Sequence, residues 1–194
     1  VGRYVANYDP AIMQIECTDC VAGKYQQLIG QTNCSRCEPG RISGMPASSA
    51  CEVCSAGKYV SRYQFFILES GGEVALDGSS LQTKCTRCAK GRVQPQRGSL
   101  SCENCAPGKY ANFSGQKACI NCPRNYFNNE GSEWASSRFW CASCPAGSST
   151  LGYEGSESCT LCDFGKYSKS TQDCQLCPNG RVAPEKGTTF CEWC

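Results

Sequence analysis

The stretch CVAGKY (Cys20–Tyr25) decides how this sequence is read, because close variants of it recur along the chain. It returns as CSAGKY at Cys54–Tyr59, as CAPGKY at Cys105–Tyr110 and as CDFGKY at Cys162–Tyr167. Each copy begins with the second cysteine of a C-x-x-C pair, and ten such pairs account for all 20 cysteines. Successive pairs start 17, 17, 34, 17, 17, 22, 18, 15 and 17 residues apart. The spacing predicts an internal repeat of about 17 residues.

Turn residues follow the pairs at fixed distances. Six residues after the first cysteine of a pair stands a glycine or, once, Asn125, and both residue types adopt positive φ readily. Left-handed turns are therefore predicted at Gly23, Gly40, Gly57, Gly91, Gly108, Gly147, Gly165 and Gly180. A basic residue and then an aromatic or β-branched residue usually follow, which predicts a short strand. A second glycine four residues before the next pair predicts a return turn at Gly30, Gly98, Gly115, Gly155 and Gly187.

Composition favours a disulfide scaffold. Leu, Ile, Val and Phe together number only 29 of 194 residues, too few for an ordinary core, whereas cysteine makes up about a tenth of the chain. A net charge of +2 with scattered basic residues argues against nucleic-acid binding, and the longest apolar run, Phe65 to Leu68, is too short to span a bilayer. The predicted fold class is a small disulfide-rich repeat protein, an elongated rod of short strands and hairpins with almost no helix and no large core.

Two other uses of paired cysteines remain open at this point. Neighbouring C-x-x-C pairs can hold zinc in a four-cysteine site. So many all-cysteine zinc modules seldom follow one another without any His, however, and this chain contains no His. Redox catalysis needs one activated pair at a helix N-terminus rather than ten pairs followed by turns. We expect disulfides, no metal or other cofactor, and no enzyme activity, because His, a phosphate-binding loop and an EF-hand acidic cluster are all missing.

Disulfide connectivity does not follow from sequence. We expect interlocked pairing, the first cysteine with the third and the second with the fourth in each double unit. The alternative is a ladder from Cys20 to Cys34, from Cys37 to Cys51 and onward, which leaves Cys17 and Cys194 for partners outside this section. The interlocked scheme predicts Cys17–Cys34, Cys20–Cys37, Cys51–Cys85, Cys54–Cys88, Cys102–Cys119, Cys105–Cys122, Cys141–Cys159, Cys144–Cys162, Cys174–Cys191 and Cys177–Cys194.

Two irregular segments divide the chain. We expect a lead-in at 1–16, repeats at 17–54, a degenerate repeat or a hairpin-like insertion at 55–84, and repeats at 85–194 with an aromatic insertion at 125–140. Exposed apolar strands and aromatic clusters are common association surfaces, although both segments could equally pack on neighbouring repeats. The candidate interface residues are Phe65, Phe66, Ile67, Leu68, Tyr126, Phe127, Trp134, Phe139 and Trp140.

The phrase C-x-x-C-x-x-G-K-Y with its step of 17 residues resembles the ephrin-receptor-like cysteine-rich repeat over Cys17 to Cys194. It is less similar to tumour-necrosis-factor-receptor-like modules, which normally carry six cysteines and a distinct first loop. The segment between Cys54 and Cys85 and the 22-residue step after Cys119 depart from the pattern. The resemblance implies an extracellular, disulfide-stapled rod of the kind found in receptor ectodomains and in surface arrays, including flagellar hairs.

The sequence therefore predicts an extracellular or cell-surface structural protein, for example a cell-surface or flagellar-hair component, that assembles into a larger structure or filament. Its partners would be copies of itself or other components of one assembly, without nucleic acid and without a membrane span in this section. The alternative is a ligand-binding or adhesion ectodomain of a receptor. N-glycosylation sequons at Asn112 and Asn33 are weak support for a secreted context.

Overall fold

The computed structural model describes residues 1–11, 14–60, 66–67, 73–74, 82–129 and 140–194. Within these ranges no residue is helical, and the regular elements are β-strands, nearly all two residues long. The residues group into two compact units, 1–88 with 94–102 and 89–93 with 103–194. The predicted class, a small disulfide-rich repeat protein of short strands, is confirmed.

The repeat is an antiparallel hairpin that runs from a turn residue to the second cysteine of a pair. We number the hairpins 1 to 10, as residues 2–20, 23–37, 40–54, 57–88, 91–105, 108–122, 125–144, 147–162, 165–177 and 180–194. Their strands are Arg3–Asp9 and Gln14–Asp19 (β1, β2), Lys24–Tyr25 and Ser35–Arg36 (β3, β4), Arg41–Ile42 and Glu52–Val53 (β5, β6), Lys58–Tyr59 and Thr86–Arg87 (β7, β10), Arg92–Val93 and Glu103–Asn104 (β11, β12), Lys109–Tyr110 and Ile120–Asn121 (β13, β14), Tyr126–Phe127 and Ala142–Ser143 (β15, β16), Ser148–Ser149 and Thr160–Leu161 (β17, β18), Lys166–Tyr167 and Gln175–Leu176 (β19, β20), and Arg181–Val182 and Glu192–Trp193 (β21, β22). Inside hairpin 4, Phe66–Ile67 (β8) pairs with Glu73–Val74 (β9). The domain boundaries that the sequence predicts at residues 17, 55 and 85 stay predictions.

The register is the same from hairpin to hairpin. The residue after the turn pairs with the residue before the last cysteine, as Lys24 does with Arg36 and Arg181 with Trp193. The two residues between the cysteines of a pair are therefore the second strand of the hairpin, and the cysteines flank it. Hairpin 1 extends this register along β1 and β2, with a bulge between Val5 and Asn7.

The turn residues adopt positive φ, as their repeat position predicts. The value is +84° at Gly23 and +63° at Asn125, and the other seven predicted glycines lie between +71° and +83°. Ala47 occupies the return-turn position with φ +58°, where five other hairpins carry glycine. Gly2 also has φ +71°, although the sequence alone did not mark it as a turn.

Backbone hydrogen bonds join most hairpins to the next hairpin within a unit. The Gly108 N–H donates to the Asn128 carbonyl oxygen at 2.7 Å, three residues past the turn of hairpin 7. The equivalent bond is made by Gly2, Gly23, Gly57, Gly91, Gly147 and Gly165. Because these donors and acceptors lie at repeat-equivalent positions, each added hairpin satisfies the backbone of the previous one.

A second set of contacts reaches two hairpins along the chain. The Gly187 N–H in hairpin 10 donates to the carbonyl oxygen of Cys162, the last residue of hairpin 8, at 2.8 Å. The backbones approach so closely that a Cβ added to Gly147 would lie 1.9 Å from the Gly187 carbonyl oxygen. A side chain there is excluded by sterics in addition to the positive φ.

The interior consists largely of cysteine and of polar side chains. Among the described residues, the buried apolar set is nine cysteines with Val60, Val93, Ala111 and Ala183. The third residue after the turn is buried in most hairpins, and it is often polar. Gln94 is an example: its Nε2 donates to the Ser101 carbonyl oxygen at 2.7 Å, and its Oε1 accepts from the Gln96 N–H at 3.0 Å. These bonds offset the cost of burying the amide and hold the hairpin loop against the strands.

Nine disulfides each join two consecutive hairpins. The last cysteine of one hairpin bonds to the first cysteine of the next, with Cα–Cα distances of 5.5–5.8 Å. The bonds are Cys20–Cys34, Cys37–Cys51, Cys54–Cys85, Cys88–Cys102, Cys105–Cys119, Cys122–Cys141, Cys144–Cys159, Cys162–Cys174 and Cys177–Cys191.

The interlocked pairing expected from the sequence is therefore wrong at all ten predicted bonds, and the ladder is correct. The two-residue strand between the cysteines of a pair spaces their Cα atoms by roughly 10 Å. Each cysteine of the pair consequently meets a different neighbouring hairpin, so the two cannot both bond to the same next pair. The wrong bonds are Cys17–Cys34, Cys20–Cys37, Cys51–Cys85, Cys54–Cys88, Cys102–Cys119, Cys105–Cys122, Cys141–Cys159, Cys144–Cys162, Cys174–Cys191 and Cys177–Cys194.

Candidate protein interface

Two cysteines, Cys17 and Cys194, carry free and exposed thiols. All 20 cysteines lie in the described ranges, so the remaining 18 are those of the nine disulfides. Cys17 is the first cysteine of hairpin 1, and Cys194 is the last cysteine of hairpin 10.

The aromatic segment at 125–140 is only partly an exposed surface. Tyr126 and Phe127 form β15 and are half-buried, and Phe127 makes an isolated parallel bridge with Ser156 of hairpin 8. The side chain of Trp140 is 63% exposed, while its carbonyl oxygen accepts from Asn128 Nδ2 at 3.3 Å. Trp134 and Phe139 lie outside the described residues. Among the described members of the predicted aromatic set, Trp140 is therefore the one whose side chain is mostly exposed to solvent.

The apolar segment of hairpin 4 is described only as strands. Phe66 and Ile67 pair with Val74 and Glu73 in an antiparallel ladder. Phe65 and Leu68 lie outside the described residues, and the interface role assigned to all four stays a prediction.

An apolar group in hairpins 9 and 10 was missed by the sequence reasoning. Leu176 is 74% exposed and Trp193 is 75% exposed, and both precede the last cysteine of their hairpin. The Arg181 guanidinium lies 4.1 Å from the centroid of the Trp193 ring, which holds the ring in place on β22. The sequence carries little signal for this group, since Val53 and Leu161 are apolar residues at the same position of other C-x-x-C pairs.

A reciprocal polar contact at Asn125, the residue that replaces glycine at the first turn of hairpin 7, was also missed. The Asn125 N–H donates to Thr150 Oγ1 at 2.9 Å, and the Thr150 N–H donates to Asn125 Oδ1 at 3.3 Å. Both residues are buried. Asn125 therefore replaces the usual glycine and also links hairpin 7 to hairpin 8 through its side chain.

A small charged group lies on the surface near hairpin 10. Asp163 Oδ1 accepts from the Phe164 N–H at 3.0 Å and lies 3.2 Å from Lys186 Nζ. The backbone N–H, followed by the lysine, lowers the pKa of the Asp163 carboxyl below its ordinary value. Lys186 Nζ also lies 5.4 Å from the centroid of the Phe164 ring.

The two sequons differ in exposure. Asn33 is exposed beside Cys34, which is bonded to Cys20. Asn112 is half-buried, and its Oδ1 is buried without a hydrogen-bond partner among the described residues. Glycosylation at either residue stays a prediction, and the structure makes Asn33 the more accessible of the two.

The chemistry that the described residues offer is that of thiols, disulfides and exposed rings. In the described ranges, no cluster of three or more His, Cys, Asp or Glu side chains is arranged to hold a metal ion. The part of the chain that the structure describes contains no helix long and apolar enough to cross a membrane.

Comparison with known protein families finds a match over part of the chain. Residues 108–162 match the family described as tyrosine-protein kinase ephrin type A/B receptor-like. The match begins at the first residue of hairpin 6 and ends at the last residue of hairpin 8, so its limits coincide with hairpin limits. No curated protein matches the chain. The match over residues 108–162 and the hairpin-to-hairpin disulfides both support the resemblance to ephrin-receptor-like cysteine-rich repeats.

Proposed function

We propose that the chain is a non-catalytic structural protein of the extracellular space, a component of a larger surface structure or filament. The observation that carries the proposal is the composition of the interior. Among the residues that the structure describes, nine of the 13 buried apolar residues are cysteines, and the disulfides run only from hairpin to hairpin. The buried side chains therefore hold the repeats together, and the exposed surface carries the function.

The disulfides and the extracellular type of repeat indicate an extracellular location. Nine disulfides between cysteines 12 to 31 residues apart would be reduced in the cytosol, and the small apolar interior could not replace them. Exposed aromatic side chains, above all Trp140, supply the contacts through which such a scaffold associates. The apolar strand at Phe66–Ile67 is a second, sequence-based candidate.

Negative-stain electron microscopy and light scattering of the oxidised, secreted chain test the proposal. We expect ordered oligomers or filaments that are lost in Trp140→Ser or in the double variant Phe66→Asp, Ile67→Lys. Tyr153→Ser, which removes an exposed ring outside both predicted segments, is the matched control and should assemble normally. Monodisperse single chains over the whole concentration range would contradict a role in assembly.

A ligand-binding or adhesion ectodomain is the second candidate, and the family description, which names a receptor, favours it. In that case the purified chain stays monomeric and binds cells saturably, and Trp140→Ser weakens this binding while Tyr153→Ser does not. Saturable binding by monomers would replace the structural proposal.

A further inference from the structure

We propose that the first unit of the chain binds an anionic polysaccharide, a polymer of sulfated or carboxylated sugars, through basic residues of hairpins 2 and 4. These residues, called the basic row below, are Lys24 and Arg36 of hairpin 2 and Lys58 and Arg87 of hairpin 4. The inference goes beyond the proposed assembly, because it names a different partner and does not need copies of the chain to associate.

In both hairpins two basic residues lie directly opposite each other. Lys24 pairs with Arg36 in the register of hairpin 2, and Lys58 pairs with Arg87 in that of hairpin 4. Side chains at paired positions leave the same face of a strand pair, with Cβ atoms about 5 Å apart. Like charges so close repel each other, so the pairs do not contribute to the stability of the fold. An anion bound between the two side chains would remove the repulsion.

The basic row lacks acidic partners. Among the described residues, no carboxylate forms an ion pair with any of its four members, and residues 23–37 contain neither Asp nor Glu. In the eight other hairpins the residue after the turn is paired with a neutral or acidic residue, or is itself neutral, as with Arg3 opposite Asp19 and Lys109 opposite Asn121. The unbalanced charge is therefore specific to hairpins 2 and 4 and is not a general property of the repeat.

The basic row is accessible in the same way in both hairpins. Lys24 and Lys58 are half-buried, and Arg36 and Arg87 are exposed. Hairpin 4 lies in the middle of the array, with several hairpins before it and several after it. Because hairpin 2 shows the same pattern of exposure, the accessibility belongs to these positions of the repeat.

Alternate hairpins of this unit lie against each other. A Cβ added to Gly40 in hairpin 3 would lie 1.9 Å from the carbonyl oxygen of Gly98, the return turn of hairpin 5. Gly2 of hairpin 1 meets Ala47 of hairpin 3 in the same way, at 2.0 Å. The same spacing of two hairpins separates the two basic pairs. By the repeat they belong to neighbouring hairpins on one side of this unit, where one linear ligand can contact both.

A groove beside Lys24 has the residues to hold an acidic sugar. It lies between hairpins 1 and 2, has a volume of about 250 Å³, and is lined by Tyr4, Asp19, Lys24 and Asn33 among others. Asp19 Oδ1 accepts from Arg3 Nε at 2.5 Å, so its charge is balanced and Lys24 supplies the net charge of the groove. An aromatic ring can pack on the face of a sugar, while the lysine meets its acidic group and the amide its hydroxyls.

An equivalent groove recurs between hairpins 2 and 3. There Tyr25 takes the place of Tyr4 and Arg41 that of Lys24, and the volume is about 170 Å³. Glu38 lies 3.9 Å from Arg41, so this groove carries less net charge. The second groove has a further hairpin on each side, so such grooves arise from the repeat. Repeated grooves fit a polymer of repeated units, and the extracellular location indicated by the disulfides favours a polysaccharide over a nucleic acid.

The first test compares the oxidised full chain on heparin–agarose and on a sulfopropyl matrix, which carries negative charge without sugar rings. We expect elution from heparin at the higher salt concentration. Binding to a heparin oligosaccharide, measured by calorimetry, should also weaken as salt rises, since the screening length falls from about 10 Å at 0.1 M to about 3 Å at 1 M ionic strength. Dextran sulfate and hyaluronan distinguish sulfate from carboxylate recognition, and uncharged dextran should not bind.

The second test removes charge from matched positions. Lys24→Gln, Lys58→Gln should weaken heparin binding about tenfold, because two charge contacts are lost. The control Lys109→Gln, Lys166→Gln removes the same charge from the same repeat position, opposite neutral residues, and should change the affinity less than twofold. The first variant should not lower the urea midpoint, since each substitution removes one member of a repelling pair.

Several outcomes would overturn the inference. These are elution from both matrices at the same salt concentration, an equal loss of affinity in the control variant, or a lower urea midpoint for Lys24→Gln, Lys58→Gln, which would give the pairs a structural role. Binding to polyglutamate as tight as to heparin would indicate an acidic protein as the partner instead. If heparin does not bind while filaments form and are lost in Trp140→Ser, the inference fails and the proposed structural function stands.

Discussion

At the residue scale, the turn glycines serve two purposes that substitution can separate. Gly147 and Gly180 both have φ near +80°, but only Gly147 has a backbone oxygen within reach of an added Cβ. We expect Gly180→Ala to cost about 1–2 kcal/mol from the left-handed backbone alone. Gly147→Ala should cost about 1–3 kcal/mol more, because the Cβ overpacks against Gly187. Urea unfolding of the two variants measures the difference, and equal losses would contradict the close backbone approach.

The Asp163 carboxyl makes a second prediction at this scale. Its pKa is lowered first by the Phe164 N–H and then by Lys186, so ionised Asp163 favours the folded state. This contribution is complete above the ordinary Asp pKa and is lost as the pH falls through the lowered folded value. In Lys186→Met we expect the pKa to rise towards, but not reach, the ordinary value, since the backbone donor remains. A carbon-13 NMR titration of the carboxyl checks this, and a pKa unchanged by the substitution would show that the lysine does not contribute.

At the scale of the element, the hairpin is stabilised chiefly by its disulfides. Cys105–Cys119 closes a sequence separation of 14 residues, and Cys54–Cys85 closes one of 31. In the chain-entropy model, replacing both cysteines of the shorter bond by Ala costs about 3 kcal/mol. The same change in the longer bond costs roughly 0.7 kcal/mol more, from the logarithm of the loop-length ratio. Chemical unfolding of the two double variants gives both values, and a smaller loss for the longer loop would contradict the entropic account.

The sequence predicted the elements of a hairpin better than the links between hairpins. Turn residues such as Gly23 and Asn125 could be predicted because positive φ restricts residue type locally, and the strand after the turn follows from the next two residues. The disulfide partners could not be chosen, because the choice depends on strand register. Only the pairing of Lys24 with Arg36 shows that Cys34 and Cys37 flank a strand and meet different neighbours. Trp193 was missed for a related reason, since its exposure depends on which hairpins stack beside it.

At the scale of the whole molecule, the hairpins depend on one another because none has a core of its own. Turn donors such as Gly108 find their acceptor on the next hairpin, and the carbonyl of Cys162 finds its donor two hairpins along. Such contacts between hairpins cannot be predicted from the sequence of a single repeat. This explains why the periodicity predicted the fold class, while the disulfide partners did not follow from it.

The final prediction follows from the same dependence. Full reduction with dithiothreitol should unfold the chain without denaturant, because loss of nine bonds worth about 3 kcal/mol each exceeds the stability of a typical domain. Near-ultraviolet circular dichroism and tryptophan fluorescence follow the loss, and a chelator in place of the reductant should leave both signals native. Alkylation of the native chain should modify Cys17 and Cys194 and also leave the signals unchanged. If the chelator unfolded the chain and the reductant did not, the result would support zinc binding by the cysteines instead, since metal removal unfolds structural zinc modules.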